Sequence, residues 1–150
     1  MSYSELKRER QTAVPYLLVD GVDGLIDFCR EVFDAELSGR LARPEGTVMH
    51  AEVLIGDSVV MMGEPMGEFQ PAPGWVFVTV DDCDAVYARA LQAGGTSEME
   101  ISHMHHAGER YGGVRDPFGN VWWISSHVED VPWDEQQRRI DALVEQELGG

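Results

Sequence analysis

The sequence predicts an α+β protein built from two β-α-β-β-β modules followed by a separate helix. Three observations carry that prediction. A tight turn, Asp116-Pro117-Phe118-Gly119-Asn120, separates two β-prone runs, residues 111–115 and 121–126. Pro117 presets φ at the first corner, Gly119 tolerates positive φ, and Asp116 and Asn120 can bond nearby amides, so the whole reads as a hairpin. A pattern then repeats along the chain. Val19-Asp20, Asp23 and Leu25 match Val80-Asp81, Asp84 and Val86, and Ile55-Gly56-Asp57-Ser58 matches Phe118-Gly119-Asn120-Val121. A repeat of roughly sixty residues is too long for a typical solenoid unit and suggests two similar modules. Finally, adjacent Trp122 and Trp123 must point to opposite faces of one strand. A sheet with a tryptophan on each face has a packed helix on one side and a cavity or partner on the other.

In chain order, residues 1–12 read as a charged arm. Residues 14–19 are a short β-prone run, and Asp20-Gly21-Val22-Asp23-Gly24 turns the chain. Leu25, Ile26, Cys29, Val32 and Phe33 recur at helical spacing. Residues 40–46 make a weak strand entering a loop. Strands at 48–55 and 58–62 meet at Gly56-Asp57, a strong hairpin signal. Residues 63–74 carry three prolines and read as a linker. The pattern then restarts with a strand at 75–80. Asp81, Asp82 and Asp84 start a helix through Val86, Tyr87, Ala90, Leu91 and Ala93, which Gly94-Gly95 stops. A strand at 99–102, a loop at 103–109 and the hairpin complete the module. Residues 133–148 form the last helix, with Asp134 as cap, Gln137 three residues on, and Ile140, Leu143, Val144 and Leu148 as its apolar stripe. That stripe is expected to pack outside the sheet or on a second subunit.

The 150 residues are 43% hydrophobic, enough for one domain with its own core. Twenty-seven acidic residues stand against 11 basic ones, giving a net charge of −16, with Lys7 the sole lysine. Such a surface repels phosphate backbones and anionic lipid, so neither nucleic acid nor membrane is expected as a partner. No leader pattern and no membrane-spanning run are read in the chain. Cys29 and Cys83 lack metal or redox spacing and are expected as buried, reduced thiols in a cytoplasmic protein.

Several stretches resemble one known group. They are Val14-Pro15-Tyr16-Leu17, Ile26-Asp27-Phe28, His50 through Ser58, Gly108-Glu109-Arg110-Tyr111-Gly112, Asp116 through Ile124, and His127-Val128-Glu129-Asp130-Val131. With the paired modules they resemble the vicinal oxygen chelate superfamily, which includes glyoxalase I, bleomycin-resistance proteins and extradiol dioxygenases. The closest likeness is to its PhnB-like branch. The resemblance implies a U-shaped, partly closed mixed sheet forming a cup. One glyoxalase-like domain would span 13–132, with modules at about 13–64 and 75–128, between the arm at 1–12 and the helix at 133–150. It also implies a homodimer. Metalloenzymes of the group place one ligand on each inner strand. Carried over, those positions fall near Val14, Val60 (or Met62), Trp75 and Trp123. None is His, Glu or Asp, so the usual four-ligand metal is not expected, and no cofactor is.

The candidate site follows from strand parity. His50, Glu52 and Leu54 share one face of their strand, so His50 and Glu52 point into the cup as a proton-transfer pair or polar anchor. Tyr16, Phe77, Trp75 and Trp123 are expected to line the cup beside Val60 and Met62. Such a lining suits a small planar or apolar ligand, or else a filled core or dimer seam. Arg110 could reach an anionic head group or pair with surface carboxylate. His103, His105 and His106 form the densest group of potential metal ligands, in an expected solvated loop. Two alternatives to the binding protein remain: a divalent-metal-dependent lyase, isomerase or dioxygenase, and a non-catalytic regulatory or interaction module.

Overall fold

The computed structural model describes residues 11–149, and the expected N-terminal arm lies, up to residue 10, outside the described residues. The elements run β1 (Tyr16–Leu18), α1 (Val22–Phe33), β2 (Glu36–Ala42), β3 (Val48–Ile55), β4 (Ser58–Gly63), β5 (Trp75–Thr79), α2 (Cys83–Gln92), β6 (Thr96–Met104), β7 (Glu109–Arg115), β8 (Val121–His127) and α3 (Trp133–Gly149). These are the two β-α-β-β-β modules and the extra helix. Each module forms a four-stranded sheet, ordered β1-β4-β3-β2 and β5-β8-β7-β6. One parallel pair in each, β1 with β4 and β5 with β8, makes both sheets mixed. Among the described residues no strand pairing joins the sheets, so they are not closed into a barrel.

Helix α1 buries Val22, Leu25, Ile26, Phe28, Cys29, Val32 and Phe33, the stripe expected from spacing plus two residues. It starts without a side-chain cap on the left-handed Gly21. Helix α2 is capped by Asp82, whose Oδ1 accepts from Ala85 N at 3.1 Å, and buries Cys83, Val86 and Ala90. One core joins both helices to the facing sides of both sheets, from Leu17 and Val53 in the first module to Val114, Trp122 and Ile124 in the second. Burial pushes the Cys29 thiol up, and nearby Asp116 adds to the effect, so this cysteine is an inert packing residue.

The turn expected from its residues is the junction of the two modules. Asp116 is 3% exposed and takes four donors. Its Oδ1 accepts from Phe118 N at 2.8 Å and Asn120 N at 3.0 Å; its Oδ2 accepts from Asn120 Nδ2 at 2.9 Å and Trp122 Nε1 at 2.8 Å. Asn120 Oδ1 in turn accepts from Gly74 N at 3.0 Å, fixing the entry to β5. Trp122, fully buried, lies 4.9 Å by ring centroids from Phe33 and 6.4 Å from Phe28 of α1. Phe118 covers the start of α1, where a Cβ on Gly24 would come within 2.5 Å of its ring.

Some boundaries differ from those expected. Strand β1 has three residues, because Pro15 offers no N–H and only its carbonyl joins β4, accepting from Met61 N. The Gln11 side-chain amide extends that edge, with Nε2 donating to Val59 O and Oε1 accepting from Val59 N. Strand β6 runs to Met104, so His103 is a strand residue paired with Arg110, not a loop residue. Helix α3 begins at Trp133, and Asp134 sits in its first turn, accepting from Glu135 N, instead of capping it. Its stripe is half or more exposed at Leu148 and nearly so at Leu143 and Val144. Arg139 holds the helix to Glu129 and to the His105 carbonyl, both at 2.7 Å.

Replacing Asp116 with Ala removes one acceptor from four donors, three of them on fully buried Asn120 and Trp122. A buried donor left unpaired costs roughly 1–3 kcal/mol, so Asp116→Ala is expected to lower unfolding stability by about 3 kcal/mol or more. Urea unfolding midpoints check this, and an unchanged midpoint would refute the role given to Asp116.

Candidate functional site

Each sheet presents one face to the helices and one away from them, and register decides which side chains share the outer face. On β3, Ala51 and Val53 are buried toward α1, which puts His50, Glu52 and Leu54 on the outer side. The two-residue turn Gly56-Asp57 sets Ile55 opposite Ser58, and so Glu52 opposite Met61 and Val53 opposite Val60. Met61 is also the parallel neighbour of Tyr16. Tyr16, Met61 and Glu52 therefore form one cross-strand row on the outer face.

Tyr16, His50 and Glu52 make a hydrogen-bonded chain. His50 Nε2 lies 2.8 Å from Glu52 Oε1, and His50 Nδ1 lies 3.2 Å from the Tyr16 hydroxyl. Access falls along the chain: Tyr16 is 45% exposed, whereas the Glu52 side chain is 4% exposed. The bonds are mutually consistent when Nε2 carries the proton, donating to a Glu52 carboxylate while Nδ1 accepts from Tyr16. Burial raises the Tyr16 hydroxyl's pKa, and nearby Glu52 adds to this against the opposing pull of Arg43. Gly63 makes room for this tyrosine, since a Cβ there would lie 2.6 Å from its hydroxyl. Chemically, the chain can relay a proton between solvent and a buried carboxylate.

The second outer face is aromatic. Trp75, Phe77 and Trp123 lie together, as β5–β8 register requires. Trp75 and Trp123 are 5.3 Å apart by centroids, in an edge-on arrangement. Tyr111 of β7 joins them at 6.0 Å from Phe77 and 6.2 Å from Trp123. Trp75 is 71% exposed and Phe77 56%, so this floor lies open in the single chain. Gly113, opposite Trp123, admits the indole ring, because a Cβ there would meet it at 2.7 Å. The Trp123 indole N–H is buried without an acceptor among the described residues.

Several expected site residues lie elsewhere. Val60 and Met62 are corrected: they are 3% and 0% exposed and face the helices beside Val53 and Ala51, while Met61 holds the outer position. Arg110 is also on the helix side, where its guanidinium pairs with Asp84 of α2 at 2.8 and 2.9 Å and holds that carboxyl below its usual range. Val14 lies outside β1, two residues before Tyr16. The His103 and His105 rings are 6.0 Å apart, but among the described residues no three His, Cys, Asp or Glu side chains converge as a metal-holding group. No hydrogen bond or ring contact joins the Tyr16–His50–Glu52 chain to the aromatic floor among the described residues.

Sequence reasoning missed Tyr111 and a polar group at the far end of the aromatic face. Glu109 Oε2 accepts from Ser125 Oγ at 3.0 Å, and Glu109 Oε1 lies 2.8 Å from His127 Nδ1. His127 Nε2 lies 2.8 Å from Asp130 on the way to α3. The alternation Glu109, Tyr111, Gly113 was present in the sequence, but it gains meaning only once β7 is paired with Trp123, Ser125 and His127 of β8.

Comparison with known proteins agrees with this architecture. The model of the Glyoxalase/Bleomycin resistance protein/Dioxygenase superfamily matches residues 11–124. The chain belongs to that superfamily. An uncharacterised protein of Mycobacterium tuberculosis (strain H37Rv) is 34% identical over 139 residues, spanning 85% of this chain and 81% of its own. Among solved structures, the PhnB protein of Bacillus cereus superposes with a TM-score of 0.63 at 21% identity, covering 77% of this chain and 99% of its own. A variant of the fosfomycin resistance protein FosX of Listeria monocytogenes, complexed with Mn(II) and 1S,2S-dihydroxypropylphosphonic acid, gives 0.62 at 11% identity, over 87% and 97% of the two chains. These likenesses establish the fold. Among the described residues no helix is long and apolar enough to cross a membrane.

His127 provides a pH test of this region. Its pKa is raised above 6.5 by the hydrogen bonds first of Glu109 and then of Asp130. A raised folded-state pKa stabilises fully below pH 6.5 and loses that contribution as pH climbs through the folded value. The tie between β8 and the α3 linker is therefore expected to weaken from acid toward alkaline pH. An NMR titration of His127, with exchange protection of the linker amides, reads it; a His127 pKa at or below the free value would sink the idea.

Proposed function

We propose that this protein binds a small planar or apolar molecule on the aromatic floor of Trp75, Phe77, Tyr111 and Trp123, without the four-ligand metal centre of its superfamily. The observation that carries this reading is the floor itself: four rings set edge to face by register, two of them, Trp75 and Phe77, more than half exposed beside part-buried Tyr111 and Trp123. Exposed aromatic surface on this scale marks a ligand or partner site. The positions facing outward on the inner strands are Tyr16, Met61, Trp75 or Phe77, and Trp123. A phenol, a thioether, an arene and an indole do not form a donor set for a hard divalent cation.

A homodimer is part of the same proposal. The uncovered floor and the exposed stripe of α3, with Trp133 at 86% exposure, both call for a covering surface. The net charge of −16 argues against nucleic acid and anionic membrane as partners. Two buried free cysteines accord with a reducing, cytoplasmic setting.

A second reading has its own observation. The Tyr16–His50–Glu52 chain is a metal-independent acid–base relay in which His50 or Glu52 would exchange a proton with a bound substrate. Glu52→Gln keeps the shape and removes the base. Unchanged turnover and ligand binding in that variant would rule the relay out.

The binding reading is tested by screening planar aromatic compounds and antibiotics, read by tryptophan fluorescence and thermal shift. Trp123→Ala is expected to weaken any hit about tenfold or more, and Trp75→Ala by a similar factor. Elemental analysis of untagged protein accompanies the screen. Stoichiometric metal, or melting raised by Mn²⁺, Zn²⁺, Ni²⁺ or Fe²⁺ in a native-state titration, would overturn the metal-free reading.

A further inference from the structure

The two modules meet twice in equivalent ways, and only one meeting is filled. The β7–β8 turn of the second module faces the start of α1, and Phe118 fills the space against Gly21 and Gly24. The β3–β4 turn of the first module faces the start of α2 in the same manner. It consists of Gly56 and Asp57 only, and Ile55, which matches Phe118 in the repeat, ends strand β3 instead. The space left there is a cavity of about 630 Å³ bounded by Ile55–Ser58, the end of α1, β5 and the start of α2. It is separate from the proposed ligand floor, although Phe77 touches both.

The walls of this cavity are chemically divided. Phe33, Val60, Val76, Val78 and Val86 give it an apolar floor. Asp34, Asp57 and Asp81 stand at its rim, and none has an ion pair among the described residues. Asp82 is already used as the α2 cap. Arg89, the one basic residue of the lining, bonds the Val32 carbonyl at 3.0 and 3.3 Å. We propose that this cavity is a second ligand site, which takes an aromatic or aliphatic amine: an apolar body where Phe118 sits in the other module, and an ammonium toward Asp34, Asp57 and Asp81. Ligand sites of roughly 300–1,000 Å³ are of ordinary size for such a molecule.

The test compares tryptamine with indole-3-acetate, which share a ring and differ in charge, by calorimetry on the full chain at low salt. Tryptamine is expected to bind at least ten times more tightly, and the ratio to shrink as salt screens the rim. Ala85→Phe, which places a ring from α2 into the cavity, is expected to abolish tryptamine binding. Asp57→Asn, in an exposed turn that accepts asparagine, is expected to narrow the ratio severalfold without altering the fold. Trp75→Ala is expected to leave tryptamine binding intact, which separates this site from the aromatic floor. Equal binding of the two compounds, or full binding by folded Ala85→Phe protein, would overturn the proposal. So would loss of binding in Trp75→Ala, or failure of tryptamine to bind at all.

Discussion

The Asp116 carboxylate is the point on which the two modules depend. A charge taken out of water is tolerated only when its oxygens are fully used, and Asp116 uses both. Two of its donors shape the turn, one is the Asn120 amide that fixes the entry to β5, and one is the Trp122 indole. The last matters most for the assembly. It orients a large ring whose other neighbours, Phe28 and Phe33, belong to the first module. A local turn is thereby coupled to a long-range packing contact.

With the core fixed on the helix side, the period of two along each strand places the Tyr16–His50–Glu52 chain and the aromatic floor on the outer faces. Trp122 and Trp123 are neighbours in sequence with opposite fates, one sealed in the core and one part-buried among other rings on the outer face. The same alternation separates Glu52 from Val53 and Met61 from Met62. Glycines complete the arrangement where a ring crosses a strand, Gly63 under Tyr16 and Gly113 under Trp123. The outer faces thus carry two distinct surfaces, a hydrogen-bonded Tyr16–His50–Glu52 chain on one sheet and an arene surface on the other.

Much of this was legible in the sequence because it is local. The Asp116–Asn120 turn, the stripe of α1, the cap of α2 and the opposed tryptophans each depend on residues within a few positions of one another. His50 and Glu52 were placed on one face by alternation alone. Sequence and structure part where position depends on a partner strand. Val60 and Met62 match inner-strand ligand positions only by analogy, and the two-residue turn after Ile55 pairs Val60 with Val53 and turns it to the core. Sequence alone leaves Arg110 open between a ligand head group and a surface carboxylate, because its partner, Asp84, lies on another element 26 residues away. Tyr111 had no visible role until pairing with β8 put it beside Trp123. Residues that act across strands are recovered only when register is known.

The short reach of β1 has a final consequence at Gln11. Strand β4 extends past the start of β1, so that among the described residues the Val59 amide and carbonyl have no strand neighbour on that side, and the Gln11 side chain takes both. A primary amide carries the same donor and acceptor pair as a peptide group, so a single side chain substitutes for one residue of strand. Open strand edges are where separate molecules join into larger aggregates. Here one glutamine side chain occupies that stretch of the β4 edge without any additional backbone.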